Sequence, residues 1–178
     1  MNGARRLAFF AAANIDGADL RRPRRKRAFH LDPRLEDHLQ AGEALFRDYD
    51  LDRGHLIRRL DPTWGSAEEA EEANRDSMFF PNIAPQHKAL NQRIWLSLED
   101  HILSFTEETD AKVSVLVGPV FSHRDPPHKT GILVPLAYWK VIASVGRGRR
   151  GRQSDRVLQA QAFVMSQADL VKPGDLEL

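Results

Sequence analysis

Arg53, His55, Asn82, Asn91 and Glu99 bring into one central stretch of the chain side-chain types that can act together on a phosphodiester. A histidine titrates near neutral pH and can take a proton from water. An amide oxygen and a carboxylate are hard ligands of the kind Mg2+ accepts, and that ion keeps most of its waters and few protein groups. Arginine supplies charge matched to a phosphate. On residue types alone, metal-assisted phosphodiester hydrolysis stands beside a plainer alternative, a capped helix with a satisfied histidine nearby.

Other chemistries have less to work with. The chain has no cysteine, which excludes disulfides and thiolate metal sites. Its 7 histidines include no His-Glu-x-x-His pair. His123 and His128, in "SHRDPPHK", read as exposed loop side chains. "GRGRRG" lacks the lysine and hydroxyl of a nucleotide-binding loop, and no Gly-x-Ser-x-Gly elbow is present.

The elements that must position these residues follow from pattern. With 178 residues, 42% hydrophobic and 29% charged, the chain is expected to form a single domain, residues 1–178. A net charge of +1 excludes a bulk polycation, so basic clusters matter locally. No apolar run approaches the roughly 20 residues of a membrane span, so no membrane partner is expected. The run "LAFFAAAN" is broken by Asn14, Asp16 and Gly17 and reads as a strand rather than a signal peptide, and nothing sets a compartment.

"RRPRRKR", Arg21 to Arg27, is a solvated loop or a phosphate-facing one. Residues 32–48 suggest turns and a short helix. Ser66 to Arg75 reads as an acidic helix capped by Ser66. Pro81 and Pro85 exclude a helix before about Gln86. Beyond it, Leu90, Ile94, Leu98 and Ile102 form an apolar row, and Asn91, Trp95 and Glu99 an adjacent one on a common side. Trp95 and Trp139 read as core. "KVSVLVGPVF", "ILVPLAYWKVIASV" and "VLQAQAFVMSQ" read as strands, the last two joined by an arginine-rich loop over 147–156. Strands flanking one long helix make an α+β domain.

"DRGHL", "PNIAPQHKALNQRIWLSLED", "VGPVF" and "VPLAYWKVI", in this order, resemble the DNA/RNA non-specific endonuclease family, which belongs to the ββα-metal, or His-Me finger, nucleases of the endonuclease G type. The resemblance spans about Arg6 to Gln167. It implies a central antiparallel sheet with a long metal-site helix, and Mg2+-dependent cleavage of DNA and RNA, independent of sequence, to 5′-phosphate and 3′-hydroxyl ends. It implies His55 as general base, Asn91 as the direct metal ligand and Glu99 as holder of the metal's waters. Arg53 and Arg24 would contact phosphate, and Asn82 would support the site. Mn2+ is a possible substitute metal.

The chain departs from the family pattern at two positions. Pro81 stands where the pattern has Ser or Thr, and Leu103 stands where an arginine often follows the glutamate. The domain reads as shortened at both ends, so a fused or partner domain in a larger parent protein is a further expectation, and the resemblance adds a homodimer, since dimers are frequent in that family. Two alternatives stay open: a nucleic-acid-binding module impaired in cleavage, and a phosphodiesterase acting on a specialised substrate.

Overall fold

Alternation drives the sheet. In Lys112–Pro119, Val113, Val115 and Val117 point inward and are buried, so one face of this strand meets the core. The computed structural model describes residues 1–25, 28–47, 51–147 and 156–176. Within them, strands Ala11–Asp16 (β1), Lys112–Pro119 (β4), Ala137–Arg147 (β5) and Arg156–Ser166 (β6) form one antiparallel sheet in the order β1-β4-β5-β6. Strands Leu51–His55 (β2) and Ile83–His87 (β3) pair separately as an antiparallel ribbon. Helix α1 spans Ala67–Asp76, and α2 spans Leu96–Glu108.

Helix α2 packs Ile102 and Leu103 against Val113, Val115, Val117 and Tyr138, which makes the main core. The ribbon is tied to the sheet by buried polar bonds. Tyr138 Oη donates to the Pro85 carbonyl at 2.6 Å, and Gln167 Nε2 donates to the same oxygen at 3.1 Å. Ribbon and following helix therefore form a ββα unit docked on the larger sheet.

Several expected boundaries move, for local reasons. β1 begins at Ala11, because Leu7 is buried in a turn closed by Asn2 N–H on the Leu7 carbonyl, while Phe9 and Phe10 are exposed. It runs on to Asp16, because polar cross-strand pairs extend the ladder: Ser114 with Asn14 at 2.8 Å and Lys112 with Asp16 at 2.5 Å. β5 begins only at Ala137, since Pro135 has no N–H to give a ladder. The buried Ile132 and Val134 belong to the preceding loop. His128 lies in that loop too, but it is buried, with Nδ1 against the Thr130 hydroxyl at 2.8 Å, which corrects its reading as an exposed side chain.

The short helix expected over 32–48 is instead a pair of 3-10 turns, Asp37–Leu39 and Glu43–Phe46. Ser66 does cap α1, in a reciprocal capping box with Glu69. Trp95 is core, whereas Trp139 is half-buried. Most of the arginine-rich loop, residues 148–155, lies outside the described residues.

Candidate functional site

His55 closes β2, paired across the ribbon with Ile83. The chain then turns, and Asn82 fastens the turn. Leu56 N–H reaches the Asn82 carbonyl at 2.8 Å, while Asn82 Oδ1 accepts from Ile57 N–H at 2.9 Å. Asn82 Nδ2 donates to the Ile57 and Ser77 carbonyls at 2.9 and 3.0 Å. With all these bonds Asn82 supports the backbone on which His55 stands and has little capacity left for a ligand.

The His55 ring packs at 5.7 Å from Phe29, and its Nε2 is buried with no hydrogen-bond partner among the described residues. Burial first, and then the positive charge of Arg25 and Arg59, pushes its pKa down to about 4. The imidazole is therefore neutral across the physiological range, the state a general base needs.

Those two arginines were not singled out from sequence. Arg59 is positioned by Asn74, whose Oδ1 accepts from Arg59 Nη1 at 2.9 Å, and by the Pro23 carbonyl at 3.2 Å. Asn74, fully buried on α1, also holds the Arg24 carbonyl through Nδ2 at 3.0 Å. One amide thus fixes both the arginine loop and the guanidinium beside the histidine. Arg22 is tied to Glu107 of α2 at 2.6 Å, so the described part of this basic run is anchored rather than a loose arm.

The arginines named from sequence sit differently. The Arg24 side chain is exposed. Arg53 is engaged by Glu43 through Nε at 3.1 Å and through Nη2, and it lies 5.6 Å from the ring centres of both Phe29 and Phe46. Its charge is already matched by a carboxylate. Phe29 nevertheless touches both Arg53 and His55, so the two side chains flank one aromatic ring.

Asn91 meets the ribbon directly. Its Nδ2 donates to Asp52 Oδ2 at 2.9 Å, and Gln92 Nε2 donates to the same oxygen at 2.9 Å. The backbone of Leu90–Trp95 winds as a π-helix, not the α-helix expected. In a regular α-helix, residues eight apart are offset by about 80°. A wider turn of roughly 4.4 residues removes most of that offset. The row Asn91, Trp95, Glu99 is thereby kept on one side, and that side faces inward.

Glu99 points into the interior. Its Oε1 accepts from Lys140 Nζ at 2.8 Å, and Lys140, with no exposed surface, also lies 4.5 Å above the Trp95 ring. Burial raises the Glu99 pKa, opposed by the lysine. Asp61, also buried, is pushed up to about 7, chiefly by burial and then by the Glu99 charge. The structure therefore brings His55, Asn82 and Asn91 around the ββα unit, while Glu99 turns to a buried ion pair, Arg53 to Glu43 and Arg24 to solvent.

Among the described residues, no group of three His, Asp or Glu side chains could enclose a metal ion. The residues fit an ion that needs few protein ligands. Because a carboxylate only accepts, the Asn91 amide nitrogen must face Asp52, which leaves Asn91 Oδ1, a hard donor, turned away from it.

Comparison with known proteins assigns the chain to a family and a fold. The family model described as DNA/RNA non-specific endonuclease matches residues 1–177. An uncharacterized protein of Sinorhizobium fredii is 37% identical over 177 residues, covering 94% of this chain and 26% of that protein. The mitochondrial endonuclease G of Bos taurus is 28% identical over 84% of this chain, and that of Homo sapiens 27% over 86%. This chain spans 49% and 51% of those two proteins. A crystal structure of EndoG in complex with EndoGI superposes with a TM-score of 0.71 at 17% identity, covering 91% of this chain and 67% of that one, so the two share a fold. A match across nearly its whole length, on a chain that sets a histidine and an asparagine on one ββα unit, shows that this chain belongs to the DNA/RNA non-specific endonuclease family.

Proposed function

We propose that the chain is a Mg2+-dependent, sugar-non-specific endonuclease that hydrolyses DNA and RNA to 5′-phosphate and 3′-hydroxyl ends. The observation that carries this is the placement of His55 at the end of the ribbon that Asn91 meets, with Arg25 and Arg59 beside it lowering its pKa. A site of that kind attracts a phosphodiester and leaves its base unprotonated.

In this reading the neutral imidazole of His55 takes a proton from the attacking water. Asn82 keeps the imidazole in place through its bonds to Ile57 and Ser77. Arg25 and Arg59 face the phosphate, Arg24 extends the basic surface, and Arg53 exchanges Glu43 for a phosphate oxygen when substrate arrives. Asn91 Oδ1 would hold the metal, and Glu99 would act on its waters only by giving up part of its buried pairing with Lys140. A bound Mg2+, or Mn2+ in its place, supplies Lewis-acid stabilisation of the charge that builds on phosphate. Contacts to backbone phosphates alone make binding insensitive to sequence and steeply dependent on salt.

Supercoiled plasmid and total RNA, incubated with the protein and Mg2+ beside His55→Ala and an EDTA control, test the proposal. Wild type should degrade both, and the two controls neither. Intact substrates that still shift at low salt would identify a binding module instead.

A further inference from the structure

Asp52 has no role in the reading above, yet it makes the contact that decides which atom of Asn91 is available. Its Oδ2 receives both Asn91 Nδ2 and Gln92 Nε2 at 2.9 Å. Asp52 lies on β2, in the rigid ladder opposite Gln86, and the two amides come from the π-helical turn that opens the long helix. A primary amide can turn over by half a rotation and exchange oxygen for nitrogen at almost no steric cost. A carboxylate rejects the oxygen end, so the aspartate holds one of the two orientations.

We infer that Asp52 is a positioning residue that fixes the Asn91 side chain with Oδ1 presented to a divalent cation. The inference rests on Asn91 being the metal ligand. The shared oxygen adds a second function, because Gln92 and Asn91 are neighbours in a wide turn, and pinning both to one strand atom sets that turn's rotation against the ribbon. The ligand is then oriented at its side chain and at its backbone. Partners of this kind tune metal affinity without touching the metal.

Mn2+ binding, followed by electron paramagnetic resonance and by calorimetry on the intact chain without nucleic acid, gives a readout independent of cleavage. Asp52→Ala should weaken Mn2+ affinity by about 10- to 100-fold. Asp52→Asn, the variant closest in shape, should weaken it less, and Asp52→Glu should recover part of the loss. In an Asn91→Ala background, Asp52→Ala should have no further effect, because its route to the metal is gone. Nucleic-acid binding in EDTA should be unchanged, and kcat should fall with little change in KM.

Wild-type Mn2+ affinity in both Asp52→Ala and Asp52→Asn, with Asn91→Ala impaired, would overturn the inference while sparing the metal site. An undiminished effect of Asp52→Ala in the Asn91→Ala background would also overturn it, showing that the carboxylate acts on the cation by its own charge. Unchanged Mn2+ affinity in Asn91→Ala would remove the metal ligand and the inference with it.

Discussion

Arg59 Nη1 donates to Asn74 Oδ1 at 2.9 Å, and the other end of the same buried amide holds the Arg24 carbonyl at 3.0 Å. Helix α1 therefore sets the arginine loop and the guanidinium beside His55 with a single side chain. Asn74→Ala removes one bond to a charged group and one to a carbonyl, with a loss of about 2–3 kcal/mol expected in urea unfolding. Binding of a DNA duplex, read by fluorescence anisotropy, should weaken together with stability, and its salt slope should shrink as Arg59 loses its fixed position. Unchanged affinity would place Arg59 outside the phosphate surface.

Burial and two arginines hold His55 at about 4, against its ordinary 6.5. The acid limb of kcat/KM, which reports the free enzyme, should therefore fall near pH 4 rather than near 6.5. Arg59→Met removes one of the two charges and should move that limb upward, though still short of 6.5, because burial is the largest cause. Stability carries the same signature. Between about pH 4 and 6.5 the unfolded chain binds a proton here that the native chain does not, so this residue's contribution to stability falls as pH falls through that window. His55→Gln should flatten that part of the stability profile.

Lys140 and Glu99 form a buried pair at 2.8 Å, with the ammonium over Trp95. Lys140→Met keeps the length of the chain but leaves a carboxylate inside without its partner, beside a second buried carboxylate, Asp61. The expected cost is about 3–5 kcal/mol. Adding Glu99→Gln should recover much of it, since the stranded charge is gone. Thermal unfolding of the two single variants and the double variant closes the cycle. Additive losses would mean that the two groups are not coupled.

His55 and Asn91 could be singled out from sequence because the strings that carry the family resemblance, in their order along the chain, include them. What could not be read there depends on partners distant in the chain. Which member of the Arg24–Arg25 pair acts on His55 is set by the path of their loop, and that path is held by Asn74, fifty residues onward. Arg59 falls in the turn after β2, where no periodicity shows which way a side chain points. The four-residue spacing of Asn91, Trp95 and Glu99 fits an α-helical row well enough to hide the π turn that keeps them aligned. Lys140 sits in the apolar string "AYWKVI", where nothing local indicates that a lysine is fully buried against Glu99. The order of sheet and helix was legible because alternation and proline placement are short-range signals. The strand ends moved where a turn or a cross-strand pair overruled them.

Gly54, between Arg53 and His55, has a requirement of its own. A Cβ placed there would lie 2.2 Å from Gln86 Cδ, with the Gln86 amide oxygen and Cγ almost as close. Gln86 is fully buried and crosses the ribbon over this position, so it has no free path to solvent. Gly54→Ala should therefore overpack the ribbon and cost about 1–3 kcal/mol. The strain falls between Asp52 and His55, so activity should drop along with stability. Gln86→Ala is the informative companion. It removes an amide whose Nε2 and Oε1 find no partner among the described residues, so the lost polar burial offsets part of the cavity it leaves. In the double variant the added methyl occupies space the amide has vacated. Urea unfolding should then give a smaller loss than the sum of the single changes, and cleavage should partly return. A strictly additive double variant would show that the glycine is needed for some reason other than the passage of Gln86.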